Sequence, residues 1–173
     1  MKRNIIAVLF LTTLTVCAQP IGQKVADFVF TDSAIDAEGF RGLTQNKYVF
    51  SLTYIKDINT NSGVLFSYDR CYTSDNIPEK THSDTLKGGF TLKTSLYPLR
   101  KWSPESTFKL DVGVFAEAGT ITSGQNNGSP VNVEGAYIDY NYKAFEIGVL
   151  YQNRTEDDYF SGNYIGAHMG WRF

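Results

Sequence analysis

The last ten residues constrain this chain more than any other segment. In Tyr164–Phe173, the residues Ile165, Ala167, Met169, Trp171 and Phe173 fall on one side of an extended backbone. Tyr164, Gly166, His168, Gly170 and Arg172 fall on the other. A period of two is that of a β-strand, here with one apolar face and one small or polar face. The pattern recurs upstream. Phe145, Ile147, Val149 and Tyr151 alternate with Glu146, Gly148, Leu150 and Gln152. Phe90, Leu92, Thr94 and Leu96 alternate with Gly89, Thr91, Lys93 and Ser95. Leu110, Val112, Val114, Ala116 and Ala118 alternate with Lys109, Asp111, Gly113, Phe115, Glu117 and Gly119.

Eight such segments can be drawn: Lys24–Ile35, Lys47–Asp57, Gly63–Tyr72, Thr85–Tyr97, Thr107–Thr120, Val131–Tyr142, Ala144–Arg154 and Tyr164–Phe173. The first is the weakest, because Asp27 and Asp32 interrupt it. Each has about the ten residues that a tilted strand needs to cross a hydrocarbon layer. Long connections are expected at Asp36–Asn46, Thr73–Asp84, Ile121–Pro130 and Thr155–Asn163, all rich in turn-forming Gly, Asn, Ser and Asp. Shorter ones fall at Ile58–Ser62, Pro98–Ser106 and the pair Tyr142-Lys143. The prediction is an all-β, eight-stranded antiparallel up-and-down transmembrane barrel, with both termini on the short-turn side and the long loops outside. A mean hydropathy of −0.23 excludes a bundle of membrane helices. It suits a barrel, in which only alternate residues face lipid.

The N-terminus reads as an export signal. Lys2 and Arg3 precede an uncharged apolar stretch, Ile5 to Val16, and Val16-Cys17-Ala18 offers a cut before Gln19. Residues 1–18 are therefore expected to be a signal peptide and residues 19–173 the barrel domain. Lipidation at Cys17 is disfavoured by bulky Val16, since that chemistry wants a small residue there. Removing Lys2 and Arg3 from the 16 basic residues leaves 14 against 18 acidic ones, a formal charge of −4. A mildly acidic chain has no electrostatic footprint for nucleic acid. Cys71 is the only cysteine beyond the leader, so no intrachain disulfide is expected.

The closing run from Tyr164 to Phe173 resembles the C-terminal signature of outer-membrane barrels. That resemblance implies that Met169, Trp171 and Phe173 form the signal read by the barrel-assembly machinery. Over its mature length the chain resembles the small eight-stranded OmpA/OmpX-like and opacity-type barrels. This implies a monomer in the bacterial outer membrane, with lipid, lipopolysaccharide and cell-surface or host ligands as partners and no cofactor. The alternative is a secreted lipocalin-like barrel with its apolar faces turned inward. Against it, Tyr48, Tyr54, Tyr140, Tyr142, Tyr151, Trp171 and Phe173 lie near strand ends, as interfacial aromatic girdles do.

The polar faces would then fill a narrow lumen. A turn at Tyr142-Lys143 pairs Asn141 with Ala144 and Asp139 with Glu146. Pairing Arg154 with Tyr164 puts Leu150 beside His168 and Glu146 beside Arg172. The expected lumen cluster is Asp139, Glu146 and Arg172, adjoined by Lys109 and Asp111, with Lys93 and Glu117 as further charges. Buried charges are costly unless paired, so a plugged lumen is expected rather than a wide channel. A narrow ion path is the competing reading.

Enzymes do occur among barrels of this size. Lipid A deacylases carry a Ser two residues after their catalytic His; here the residue two after His168 is Gly170. Thr81-His82-Ser83-Asp84 contains all the residue types of an acyl-transfer triad, but adjacency is not convergence. Two histidines far apart and a single mature cysteine match no metal-ligand spacing, so no metal is expected. Glu156-Asp157-Asp158 reads as a solvated loop tip. The expectation is a non-enzymatic barrel whose loops make any contacts, with Phe40, Tyr159 and Phe160 as aromatic anchors. A lipid A acyl hydrolase or acyltransferase is the runner-up.

Overall fold

Alternating faces leave each strand with backbone groups that only another strand can satisfy, and here the last strand satisfies the first. In the computed structural model, residues 32–44, 46–74, 82–96, 108–124, 126–156 and 159–173 are described. The expected signal peptide lies outside them. The strands are β1 (Ser33–Gly42), β2 (Lys47–Asn59), β3 (Ser62–Thr73), β4 (His82–Ser95), β5 (Phe108–Gly124), β6 (Pro130–Tyr142), β7 (Phe145–Thr155) and β8 (Gly162–Arg172). Each is antiparallel to the next, and β1 pairs with β8 to close an eight-stranded barrel. Closure removes the open edges that a membrane would not tolerate. At the seam, Ser33 N donates to Phe173 O at 3.0 Å and Phe173 N donates to Ser33 O at 2.9 Å.

The outer surface is apolar. Phe66, Phe90, Leu92, Val149, Ile165 and Met169 are all exposed by more than half, although each sits within a strand. The inner surface carries the polar residues: Ser51, Thr53, Ser67, Asp69, Thr85, Lys87 and Glu117 are buried. This inverts a soluble protein and matches a barrel in lipid. Outward-facing aromatics mark both ends. Tyr48 stacks on Tyr72 at 5.3 Å between ring centres near the end where β1 runs into β2, which we call the loop end. Phe145 meets Trp171 edge-on at 5.4 Å near the termini.

The interior is built largely by placing glycines opposite bulky side chains. Phe40 faces Gly166, Phe115 faces Gly135, and Tyr137 faces Gly113 across their ladders. A Cβ on Gly113 would overlap the Tyr137 ring, and one on Gly135 would meet Phe115 at 2.6 Å. Lys87 and Glu117 face Gly119 and Gly89 in the same way. An eight-stranded lumen is just wide enough for side chains, and the glycines supply their space.

Three expectations need correction. The first described strand is Ser33–Gly42 in place of Lys24–Ile35, of which residues 24–31 lie outside the described ones, so most of the expected first loop is strand. Asp36, Glu38, Gly39 and Gly42 look like turn chemistry, but β2 and β8 on either side recruit them into the sheet. Longer strands also shorten the loops. At the loop end the connections are residues 43–46, 74–81, 125–129 and 156–161; at the termini end they are 60–61, 96–107 and 143–144. The longest connection is thus on the side expected to carry short turns. Finally, the β6–β7 turn is Lys143-Ala144, with Lys143 at φ 55° and Tyr142 opposite Phe145. Asp139 therefore faces Gly148, not Glu146, and β8 is displaced so that Glu146 faces Gly170. Each slip is by an even step, so the faces expected to be inward stay inward.

Candidate functional site

The lumen holds two charge networks stacked along the barrel axis. Near the termini, Arg172 Nε donates to Glu146 Oε2 at 2.5 Å and Arg172 Nη1 to Asp57 Oδ2 at 2.8 Å. Lys93 Nζ reaches the other oxygen of Asp57 at 2.8 Å. Beside this chain, His168 Nε2 lies 2.6 Å from Asp139 Oδ1, and His168 Nδ1 lies 3.5 Å from Asp36 Oδ2. Asp111 accepts from Ser95 at 2.5 Å and from Asn141 at 3.1 Å. Lys109 is exposed at the same rim.

The second network lies toward the loop end. Arg154 is 1% exposed and donates to Asp69, to Glu156 and, at 3.1 Å, to Thr85 Oγ1. Lys87 Nζ sits 3.0 Å from Asp69 and 2.5 Å from Glu117, which also accepts from Ser67. Such pairing is what retains charges in a low-dielectric interior. Asp57, Asp69, Lys87 and Arg154 are members of these networks that the sequence does not single out. Each stands on an inward face, but which charges meet depends on strand stagger, which no local pattern reports.

An apolar plug closes the loop end above the second network. Phe40, Val49, Cys71, Leu150, Phe160 and Tyr164 pack together, and the Tyr164 hydroxyl donates to Phe160 O at 2.6 Å. This corrects the expected surface anchors. Phe40 is 3% exposed and Phe160 2% exposed, so neither is available to a partner. Both fill the barrel mouth, where an apolar ring gains more by burial than in a solvated loop. Tyr159 is half-buried, edge-on to Phe160 at 4.9 Å and under Lys47 Nζ at 4.8 Å. Met169, Trp171 and Phe173 stand on the outward face of β8 and at its end, 57%, 53% and 39% exposed.

The His82-Ser83-Asp84 run forms no triad. His82 is exposed while Ser83, its neighbour on an extended strand, is buried on the opposite face. Glu156 is drawn into the barrel by Arg154, whereas Asp157 and Asp158 lie outside the described residues.

No family model matches the sequence, and no curated protein matches it. Solved structures do match. The crystal structure of the N-terminal β-barrel domain of Pseudomonas aeruginosa OprF aligns with a TM-score of 0.54 at 12% identity, over 83% of this chain and 98% of that one. The Yersinia pestis outer membrane protein Ail in a phospholipid bilayer nanodisc gives 0.48 at 16% identity, over 83% and 99%. The crystal structure of Ail, the attachment invasion locus protein of Yersinia pestis, gives 0.38 at 16% identity, over 83% and 100%. The fold is that of the small eight-stranded outer-membrane barrels.

Proposed function

We propose that this chain is a non-enzymatic barrel of the bacterial outer membrane that contributes to envelope structure and meets surface ligands through its loop end. The observation that carries this reading is the inverted surface: an apolar belt outside, with charge pairs and an aromatic plug inside. A filled lumen favours a structural element over an open porin. An even strand number keeps both termini on one side, so the four connections at 43–46, 74–81, 125–129 and 156–161 share the other. We assign that other side to the outside, where lipopolysaccharide and cell-surface or host molecules would be met. Met169, Trp171 and Phe173 suit the assembly signal, because they lie outward at the end of the last strand.

The test is fractionation with a heat-modifiability gel. The folded protein is expected in outer-membrane fractions and to migrate differently before and after boiling. Recovery in the soluble periplasm would overturn the proposal. Removing Phe173 is expected to lower the folded yield in cells more than it lowers refolding of the purified chain. Trimming the four loop-end connections, with the barrel intact, is expected to reduce adhesion of the cells; unaltered adhesion would leave a purely structural role.

A further inference from the structure

The histidine and acids near the termini form a group that the charge pairing of the lumen does not use up. Asp36, Glu146 and His168 offer ligand atoms that all lie within 4.8 Å of one another, and all three residues are buried. They come from β1, β7 and β8, so no spacing in the sequence could announce them. The barrel gives them room through two glycines. Gly170 lies between Asp36 and Glu146 across its two ladders, and Gly148 lies between Asp139 and His168. A Cβ on Gly170 would overlap Asp36 Oδ1, and one on Gly148 would overlap both Asp139 Oδ1 and His168 Nε2. The space above both glycines is therefore filled by this cluster and by nothing bulkier.

Two atoms of the cluster point to a ligand. Asp36 Oδ1 and His168 Nδ1 are buried without a hydrogen-bond partner among the described residues, and their residues are 2% and 5% exposed. Leaving such atoms unsatisfied costs free energy that a bound ion would recover. The imidazole is also held as a metal ligand is held. Its Nε2 faces the Asp139 carboxylate at 2.6 Å and its Nδ1 is turned toward Asp36 at 3.5 Å, so that an Nε2–H donated to Asp139 would leave the Nδ1 lone pair for an ion. A carboxylate behind the histidine is the usual outer support of a metal site. Charge agrees. Among the described residues, Asp36, Asp57, Asp139 and Glu146 face Lys93, Arg172 and the His168 imidazole; with that imidazole neutral, as a ligand must be, they carry an excess of two negative charges that a divalent cation neutralises.

We propose that Asp36, Glu146 and His168 bind one divalent transition-metal ion of the zinc class in the lumen, with Asp139 as a positioning residue. One imidazole nitrogen and two carboxylates suit zinc, and water or a further carboxylate oxygen completes a tetrahedron. The donors must draw together by about 1–1.5 Å to reach the ~3.4 Å spacing of such a site. The movement required is rotation of the Asp36 and Glu146 carboxylates, with Glu146 keeping its bond to Arg172 through the oxygen that now accepts it. Arg172 and Asp57 are the partly exposed members of the network, with side chains 24% and 17% exposed, and mark the route from the termini end. Calcium and magnesium, which want more oxygen ligands, are expected to bind weakly or not at all.

The experiment is zinc titration of the full-length folded barrel after chelator treatment, with calcium and magnesium as controls. One zinc per barrel is expected. Asp36→Asn and His168→Gln should each weaken binding by tenfold or more, while Asp139→Asn weakens it by about tenfold to a hundredfold. His82→Ala, at an exposed strand end, should change nothing. The chain has only two histidines. If the lumen variants fail to fold, the imidazole NMR signals of the His82→Ala barrel still decide: zinc must shift the remaining signal. Zinc binding unaffected by Asp36→Asn and His168→Gln would overturn the proposal. So would a His168 signal that ignores zinc, which would mean an imidazolium bridging Asp36 and Asp139.

Discussion

Arg154 and Arg172 make the same kind of contact in different surroundings, and their removal should differ accordingly. Arg154 has a fully buried side chain tied to Asp69 and Glu156. Deleting it strands Glu156 and leaves Asp69 with Lys87 alone, and Arg154→Ala is expected to cost about 3–5 kcal/mol. Arg172 has a side chain 24% exposed at the rim, where water can replace it. Arg172→Ala should also lower stability, by clearly less. Unfolding midpoints of the two variants in lipid or detergent check the order; an unchanged midpoint for Arg172→Ala would show that its ion pairs contribute nothing to stability. That both arginines face inward was legible in the sequence from strand parity. That Arg154 meets Asp69 across the lumen was not, because β3 and β7 are not neighbours and their heights are set by accumulated stagger.

Among the strands, the glycines facing bulky inward residues matter more than propensity. Glycine weakens a strand by roughly 0.5–1 kcal/mol relative to alanine, so its repeated use needs a reason. The reason is the close approach of Tyr137 to Gly113 and of Phe115 to Gly135. Gly113→Ala and Gly135→Ala are therefore expected to destabilise the barrel by about 1–3 kcal/mol through overpacking. Gly39 is the control. It lies on the outward side of β1, and a Cβ there would have no atom within 4 Å. Gly39→Ala should therefore be neutral or gain up to about 0.5–1 kcal/mol. Equal effects at all three positions, measured by denaturant unfolding, would refute the packing account. β1 itself shows how far local reading reaches. Its outward residues Ile35, Ala37, Gly39 and Arg41 carry little apolar signal, and its strand state is imposed by β2 and β8.

For the whole molecule, the decisive quantity is the sign of the outer surface. Phe90 is 67% exposed in the middle of β4. On a soluble protein, replacing such a residue by arginine changes stability by about 0.5 kcal/mol or less. On a lipid-facing surface the same change costs about 2–4 kcal/mol near the bilayer midplane. Phe90→Arg is therefore expected to be strongly destabilising when unfolding is followed in phospholipid vesicles. A neutral result would mean that this face of the barrel does not meet lipid.

What the sequence determined alone is the set of faces. Period-two alternation, readable in β4, β5, β7 and β8 without any partner, decides which side chains look outward and which inward, and an even register slip cannot alter that. It also determined the strand number and the polarity of the interior. The tertiary structure decided everything that depends on closure. Joining β1 to β8 turned an expected loop into a strand, drew Phe40 and Phe160 from expected surface sites into the mouth, and brought Asp36, Glu146 and His168 to one point. The physical reason is that faces are a local property of a pleated chain. Stagger and closure are set by all eight strands at once, and only they say which inward residues meet.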